Sequence, residues 1–309
     1  MQHHFLALEQ FTGKQLQSLV DRTLREKPLY LAGKGPRTLE GKSLAMLFEK
    51  ASLRTRVSFQ VAMTQLGGTG IYLDQAGVGI DVREPAKDIA RVLAHMCDGI
   101  MARTFSHHTV DQLAAYSSVP VVNGLTDHCH PCQAMADLTT VQEHFGDLTG
   151  RTLAFIGDGN NVARSLRVAC AKLGVHFVLA CPEGYELEEE FWTRIATNHP
   201  QTTCSVTHDP IHAVAQADVV YTDTWTSMGQ EKEKQKRLAD FSAFQVNETL
   251  LAAAPDHAIV LHCLPAYRGS EISEGVMETH ADMIFTEADN RLHFQRTLLS
   301  ALMADGGIE

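Results

Sequence analysis

The sequence predicts an α/β fold made of two doubly wound parallel-sheet lobes. Short apolar runs alternate with helical patterns along the whole chain, which is the rhythm of successive βαβ units. The chain has 309 residues, a length at which one hydrophobic core usually gives way to two domains of about 150 residues each. The polar stretch "GDLTGR" (146–151) separates two groups of predicted strands and therefore marks the boundary.

The apolar runs predict strands and the amphipathic runs predict helices, in the following order. In the first lobe, strands are predicted at 43–49, 99–105 and 119–124, with helices near 54–66, 85–96, 110–117 and 131–144. In the second lobe, strands are predicted at 152–157, 176–181, 217–223 and 258–263, followed by a last helix at 288–303. The predicted domains are residues 1–140, with the C-terminal segment 288–309 packing back on them, and residues 145–287.

Composition and charge exclude several classes of protein. The formal net charge is −11 and no block of Lys and Arg forms a basic stripe, so we expect no nucleic-acid partner. No apolar stretch approaches the length of a membrane-spanning helix, and the start "MQHHFLALEQF" lacks the pattern of a signal peptide. Seven cysteines, an odd number in a chain of this size, indicate a reducing compartment, and we expect a cytoplasmic protein.

The segment "SLRTR" (52–56) follows a predicted strand and opens a predicted helix. A helix N-terminus offers unpaired N–H groups and a positive dipole end, to which the side chains of Ser52, Arg54 and Thr55 add two hydroxyls and a guanidinium. This combination predicts a phosphate cradle. The alternative is an ordinary serine N-cap followed by two surface arginines.

The segment "DHCHPCQ" (127–133) concentrates two histidines and two cysteines in a few positions. A Cys-x-x-Cys spacing is compatible with a zinc site or a redox-active disulfide. A third possibility is that only some of these side chains are functional. From the residues alone, all three remain open.

In the second lobe, "FIGDGNN" (155–161) partly matches a dinucleotide-binding loop. Val162 stands where the third glycine of that motif would be, and the next strand ends in "LACPEG" without an acidic residue for a ribose. We therefore favour a loop that directs Asn161 towards a crevice at the strand ends over a dinucleotide site.

Two further segments follow predicted strands: "DTWTSMGQ" (223–230) and "HCLP" (262–265). Asp223 and Cys263 would therefore lie at strand carboxyl ends, where a small polar ligand could be bound. The alternatives are a turn or cap role for Asp223 and a buried inert thiol for Cys263. The run "EKEKQKR" (231–237) pairs Glu233 with Arg237 at i,i+4 and predicts a solvated helix face.

Together these segments resemble the aspartate/ornithine carbamoyltransferase family, and within it the ornithine type. The resemblance covers almost the whole chain and is carried, in order, by "FEKASLRTRVSF", "DHCHPCQAMAD", "IGDGNN", "DTWTSMGQEKEK", "HCLP" and "EADNR". It implies transfer of a carbamoyl group from carbamoyl phosphate to the δ-amine of L-ornithine, giving L-citrulline and phosphate. It further implies an active site in the cleft between the lobes, a homotrimer, and no metal or organic cofactor.

The resemblance also implies a role for individual residues. Arg103, His130 and Cys263 are the implied catalytic residues. The implied carbamoyl phosphate-binding residues are Ser52, Leu53, Arg54, Thr55, Arg103, His130, Gln133, Cys263, Leu264 and Arg291. The implied ornithine-binding residues are Asn161, Asp223, Ser227 and Met228. Because the family pattern in "CHPCQ" is His-Pro-x-Gln, Cys129 and Cys132 are implied to be bystanders.

The sequence departs from the family pattern at two positions. Leu53 stands where threonine is common, which matters little if that position contributes only its backbone N–H. Gly79 stands where many relatives carry Gln or His that reaches a neighbouring subunit, which puts that contact in doubt. Other hypotheses remain: an acceptor such as N-acetylornithine, putrescine or aspartate, or a non-catalytic anion- or amino-acid-binding module. The sequence also leaves open a role in arginine synthesis or in ornithine-producing catabolism.

Overall fold

The computed structural model describes residues 3–226 and 231–308. It consists of two compact units. Unit 1 contains the residues up to Thr139 together with those from Asn290 onwards, and unit 2 contains Thr140–Asp289. Each unit is built on a parallel β-sheet, so the predicted fold class is confirmed.

Unit 1 contains a sheet of four described strands in the order β2-β1-β3-β4. Its elements are α1 (Gly13–Leu31), β1 (Ser43–Phe48), α2 (Leu53–Gln65), β2 (Thr69–Asp74), α3 (Gln75–Val78), α4 (Ala86–Met96), β3 (Gly99–Arg103), α5 (His107–Tyr116), β4 (Val121–Leu125) and the start of α6 (Pro131–Phe145). A short 3₁₀ helix, Leu8–Gln10, precedes α1. All three strand pairings are parallel, so the carboxyl ends of β1 and β3 lie at the same edge of the sheet.

Unit 2 contains a sheet of five described strands in the order β7-β6-β5-β8-β9, again paired in parallel. Its elements are β5 (Thr152–Ile156), α7 (Asn161–Leu173), β6 (His176–Ala180), α8 (Glu189–Asn198), β7 (Cys204–Thr207), α9 (Pro210–Val214), β8 (Val219–Thr222), α10 (Lys234–Asp240), α11 (Glu248–Leu251), β9 (Ile259–His262), α12 (Glu274–Thr279) and most of α13 (Ala281–Met303). Two 3₁₀ segments are Glu231–Glu233 and Ser242–Phe244. The order reverses direction between β5 and β8, and ligands bind at such a switch point in open α/β sheets.

The sequence analysis named neither the helices α1, α7 and α8 nor the strands β2 and β7. Both of these strands keep exposed positions and lack the continuous apolar run of a buried strand. The last helix begins at Ala281, not at residue 288. Ile284 and Glu287 are buried one helical turn apart, so the added turns bury one face of the helix.

No helix in the described ranges combines the length and the hydrophobicity needed to cross a bilayer. This agrees with the apolar runs of the sequence, which serve as short buried strands.

Candidate active site

The "SLRTR" segment of unit 1 forms the N-terminus of α2, at the carboxyl end of β1. Ser52 is the N-cap, and its Oγ accepts a 3.3 Å hydrogen bond from the backbone N–H of Thr55. Leu53 is the first helical residue, and its side chain is 75% exposed. The segment therefore presents a helix N-terminus, with its positive dipole end, next to the side chain of Arg54.

Two arginines from distant parts of the sequence converge on Thr55. Arg103, the last residue of β3, donates from Nη1 to Thr55 Oγ1 at 3.3 Å. Arg291, in α13, donates from Nη2 to the same oxygen at 3.0 Å. Both arginines are buried. Two buried guanidinium groups that meet at one hydroxyl concentrate positive charge there, so the cluster suits an anionic ligand.

Gln133 links this cluster to the start of α6, whose first residue is Pro131. Its Oε1 accepts a 2.6 Å hydrogen bond from Arg291 Nη1, and its Nε2 donates to Asp137 Oδ1 at 2.7 Å. The oxygen and the nitrogen of the Gln133 amide are therefore both held in a fixed orientation. Gln133 is 1% exposed, so this orientation is held inside the unit.

His130 is a buried neutral base beside the arginines. Burial lowers the pKa of His130 well below its usual range, and the charges of Arg291, Arg103 and Arg54 lower it further. The imidazole is consequently neutral near pH 7, with one donor and one acceptor nitrogen. Three arginines acting on one ring also mark a focus of positive charge.

The two cysteines that flank His130 are buried, and neither forms a disulfide within the described residues. Burial raises the pKa of the Cys132 thiol to about 12. Cys129 Sγ donates to the backbone oxygen of Leu6 at 3.5 Å, a bond that only the protonated thiol can make. Because the thiolate is the form that binds metals and exchanges disulfides, the geometry favours His130 and Gln133 as the functional residues of "CHPCQ".

In unit 2, Asp223 follows β8 and is the centre of a second polar cluster. Cys263, which follows β9, donates from Sγ to Asp223 Oδ1 at 3.0 Å. Asn160 donates from Nδ2 to Asp223 Oδ2 at 2.8 Å. The carboxyl group of Asp223 is thus held on both oxygens, between the loops that follow β5 and β9.

Sequence reasoning did not name Asn160, the residue that precedes the predicted ornithine-binding residue Asn161. Asn160 is the N-cap of α7, where its Oδ1 accepts from the N–H groups of Val162 and Ala163. Asn161 is the first residue of that helix. The preference of Asn for N-cap positions was the available signal for Asn160.

The loop that carries Cys263 is fixed by a buried histidine. His262 Nδ1 accepts a 2.9 Å hydrogen bond from the backbone N–H of Leu264. Its Nε2 must then carry the proton that it shares with Glu271 Oε1 at 3.1 Å. Leu264 has a φ of 56°, which is unusual for a residue with a side chain. The Leu264–Pro265 peptide is cis.

The prediction of a solvated face at 231–237 is wrong for Arg237. Arg237 is buried, and its Nη1 donates to Asp158 Oδ2 at 2.7 Å and to the backbone oxygen of Trp225 at 3.0 Å. The i,i+4 pair with Glu233 is present at 3.0 Å. A buried carboxylate in the loop after β5 requires a partner, which explains why the arginine turns inwards.

Gly159, the second glycine of "GDGNN", has a packing role. A Cβ on Gly159 would lie 2.7 Å from the backbone oxygen of Tyr185, so this position packs against the loop after β6. Gly159 N donates to that same oxygen at 2.8 Å. The close approach supports the interpretation that the loop is not a dinucleotide cradle.

Ser227 and Met228, the other two predicted ornithine-binding residues, lie outside the described residues. Gly79 ends α3 with a φ of 66°, a left-handed conformation that glycine adopts at little cost.

Comparison with known families matches nearly the whole chain. Residues 3–143 match the family model described as "Aspartate/ornithine carbamoyltransferase, carbamoyl-P binding domain". Residues 149–302 match "Aspartate/ornithine carbamoyltransferase, Asp/Orn binding domain". The chain belongs to the aspartate/ornithine carbamoyltransferase family.

Within the aspartate/ornithine carbamoyltransferase family, the chain is similar to proteins of the ornithine type. It is 46% identical to ornithine carbamoyltransferase of Geobacter sulfurreducens, over 98% of this chain and 100% of that protein. The structure of ornithine carbamoyltransferase from Pyrococcus furiosus superimposes with a TM-score of 0.94 at 43% identity, covering 99% of this chain and 98% of that one. The structure of anabolic ornithine carbamoyltransferase from Campylobacter jejuni superimposes with a TM-score of 0.91 at 39% identity, covering 97% of this chain and 99% of that one.

Proposed function

We propose that this chain transfers the carbamoyl group of carbamoyl phosphate to the δ-amine of L-ornithine, producing L-citrulline and phosphate. The observation that carries the proposal is the convergence of Arg103 and Arg291 on Thr55, at the N-terminus of α2. The names of the similar proteins and of the two family models support the same reaction.

In unit 1, the proposed ligand is carbamoyl phosphate. Ser52, Arg54 and Thr55 would bind the phosphate, together with the backbone N–H of Leu53. Arg103 and His130 would polarise the carbonyl oxygen, and Gln133 would bind the carbamoyl nitrogen. Arg291 would complete the pocket from α13.

Charge develops on both the carbonyl oxygen and the departing phosphate during this reaction. Fixed donors directed at those two positions stabilise the transition state more than the ground state, and such electrostatic terms are commonly the largest in catalysis. The buried positions of Arg103 and Arg291 mean that these donors need little reorganisation when the substrate reacts.

In unit 2, the proposed ligand is ornithine. Asp223 would pair with its α-ammonium group, with Asn161, Ser227 and the Met228 backbone binding the remainder of the amino-acid end. Cys263 and Leu264 would lie beside the δ-amine. An amine of this type has an unperturbed pKa near about 10.4, so it must lose a proton before it attacks. Cys263 and Asp223, which share a hydrogen bond, are the candidates for assisting that step.

The proposed domain assignment follows from these two halves. Residues 1–140, with the C-terminal segment 288–309, would bind carbamoyl phosphate, and residues 145–287 would bind ornithine. The names of the two family models, which match 3–143 and 149–302, support this division.

We also propose a homotrimer and a cytoplasmic location. Leu53 and Val57 are exposed one helical turn apart on α2, and apolar patches on a surface commonly mark protein interfaces. All seven cysteines lie in the described ranges and none of them forms a disulfide there, which supports a reducing compartment. The oligomeric state is tested by light scattering during size-exclusion chromatography.

The decisive experiment for the function is a steady-state assay of citrulline formation from carbamoyl phosphate and ornithine. Citrulline production supports the proposal, and its absence with a folded, carbamoyl phosphate-binding protein would favour a non-catalytic binding module. Product formation only with N-acetylornithine, putrescine or aspartate would assign another acceptor. The Campylobacter jejuni relative is described as an anabolic enzyme, which supports a role in arginine biosynthesis.

A further inference from the structure

Three metal-ligating side chains meet at the carboxyl ends of β6 and β7 in unit 2. Cys181 follows β6, Glu186 lies in the loop after it, and His208 follows β7. One atom from each, Cys181 Sγ, a Glu186 carboxylate oxygen and a His208 ring nitrogen, lies within 4.8 Å of the other two. These residues play no part in the reaction proposed above.

The hydrogen bonds around the cluster prepare it for a cation. His208 Nδ1 lies 2.8 Å from the backbone oxygen of Cys181, so this nitrogen must carry a proton and donate it. Nε2 then presents a lone pair, 3.6 Å from Glu186 Oε1. The other carboxylate oxygen, Oε2, accepts from Gly184 N at 2.9 Å, which directs Oε1 towards the histidine.

We propose that Cys181, Glu186 and His208 form a binding site for a divalent transition metal of the Zn²⁺ class. Zinc takes Cys, His and carboxylate ligands at about 2.3, 2.0–2.1 and 2.0–2.2 Å. At tetrahedral angles these lengths place the nitrogen and oxygen about 3.4 Å apart, close to the 3.6 Å between His208 Nε2 and Glu186 Oε1. A backbone carbonyl behind a ligating histidine is also the usual outer partner in zinc sites.

Solvent access agrees with this assignment, whereas the thiol proton competes with the ion. Burial raises the pKa of Cys181 to about 12, which by itself disfavours the metal-binding thiolate. A divalent cation must displace that proton, so binding strengthens as pH rises. The His208 and Glu186 side chains are 46% and 33% exposed, which gives the ion a route from solvent.

Metal binding would stabilise the loop that supports the proposed ornithine-binding half of the active site. The loop that carries Glu186 also carries Tyr185, whose backbone oxygen accepts from Gly159 N at 2.8 Å. Gly159 immediately precedes Asn160, which binds Asp223. Only this consequence for the active site rests on the proposed function, because metal binding itself depends on the three ligands alone. The metal takes no part in carbamoyl transfer.

Titration of the full-length protein with Co²⁺ and Zn²⁺ tests the site. We expect a thiolate-to-Co²⁺ charge-transfer band that Zn²⁺ abolishes, and a Zn²⁺ affinity that rises between pH 6 and 8. Changing an outer partner of a metal ligand costs about 10–100-fold in affinity, so loss of a ligand in Cys181→Ser, Glu186→Gln or His208→Gln should cost at least about 100-fold. Glu186 and His208 are partly exposed, so their substitutions test binding even if Cys181→Ser fails to fold.

Matched controls separate this site from other thiols and histidines. Cys204→Ser removes a thiol outside the cluster, and His212→Gln removes an exposed histidine four positions away; both should retain the band. Asp223, His262 and Cys263 also lie close enough to share an ion, but both ring nitrogens of His262 already have partners. A band that disappears in Cys263→Ser and persists in Cys181→Ser would overturn the proposal. So would the absence of any band, since His208 and Glu186 would then be a simple ion pair.

Hydrogen exchange provides the structural readout. Saturating Zn²⁺ should slow amide exchange in residues 157–161 and 181–188 of the wild type. It should leave the exchange rates of the same residues unchanged in His208→Gln. Slower exchange in both proteins would mean that the ion acts elsewhere and would contradict the assignment.

Discussion

Arg291 donates a 2.6 Å hydrogen bond from Nη1 to Gln133 Oε1, 158 positions earlier in the chain. The other end of the same guanidinium bonds Thr55, at the start of α2. A residue of the last helix therefore completes a cluster that otherwise comes from the first 139 residues. This placement explains why unit 1 includes the residues from Asn290 onwards.

The first prediction concerns Arg54. We expect Arg54→Ala to weaken carbamoyl phosphate binding by about 2–5 kcal/mol, the usual loss when one partner of a desolvated charge pair is removed. Isothermal titration calorimetry measures the change. Arg56→Ala is the matched control, because Arg56 is exposed, stacks on Tyr72 at 3.8 Å and should leave binding unchanged. Equal effects of the two substitutions would contradict the phosphate cradle.

The second prediction separates the residues of "CHPCQ". Activity should survive treatment with chelators, and Cys129→Ser combined with Cys132→Ser should remain active, because both thiols keep their protons in a buried setting. His130→Ala and Gln133→Ala should lose far more activity. Thermal unfolding of each variant shows whether a loss of rate reflects loss of fold. A double cysteine variant as inactive as His130→Ala would revive the metal or redox hypothesis.

Some of this cluster was predictable from sequence, and the reasons differ by residue. Ser52, Arg54 and Thr55 open a helix after a strand, a local pattern that the sequence displays directly. The meeting of Arg103 and Arg291 depends on tertiary packing between distant segments, so residue patterns alone do not specify it. The family resemblance supplied their roles.

Other contacts were missed for identifiable physical reasons. Arg237 lies in a run of charged residues that is typical of a solvated helix, and only its proximity to Asp158 makes it buried. Asn160, which bonds Asp223, was not named because its role as N-cap depends on the exact start of α7. Helix boundaries carry an uncertainty of one or two residues, so the sequence does not specify that cap.

The third prediction concerns pH and His130. Its pKa in the folded protein is lowered well below 6.5, chiefly by burial, whereas in the unfolded chain it returns to about 6.5. The unfolded state therefore binds more protons between those values, and folding stability falls as pH drops below about 6.5. We expect His130→Asn to show a shallower acid-side decline in the free energy of unfolding than the wild type. Urea denaturation between pH 5 and 8 measures the difference, and parallel curves would contradict the buried neutral state.

The fourth prediction concerns Glu271, a positioning residue for the Cys263 loop. Glu271→Ala would leave the buried Nε2–H of His262 without its acceptor, at a cost of about 1–3 kcal/mol in stability, and would loosen the loop that holds Cys263 against Asp223. Glu271→Gln keeps an acceptor oxygen and should restore most of the stability and turnover. Chemical denaturation and kcat for both variants check this. If the Gln and Ala variants lost equal stability and turnover, the charge of Glu271 would matter more than its hydrogen bond.

The fifth prediction concerns the acceptor, which should be free L-ornithine with a rate that rises through neutral pH. Asp223 is a buried carboxylate held by Asn160 and Cys263. It suits the charged α-ammonium group of ornithine. N-acetylornithine lacks that charge and adds bulk, whereas putrescine lacks the α-carboxylate. Leaving buried polar groups unmatched can discriminate between substrates by about 10⁴–10⁵.

The pH trend of that prediction has a separate cause. Only the neutral δ-amine attacks, and its fraction grows as protons become scarcer. Values of kcat/KM for ornithine, N-acetylornithine, putrescine and aspartate, measured under one set of conditions, test the specificity. Asp223→Asn is the matched variant, because it keeps the shape of the side chain and removes the charge; it should reduce the preference for ornithine over putrescine. A wild-type preference for any of the other three acceptors would overturn the ornithine assignment while leaving the carbamoyl phosphate half intact.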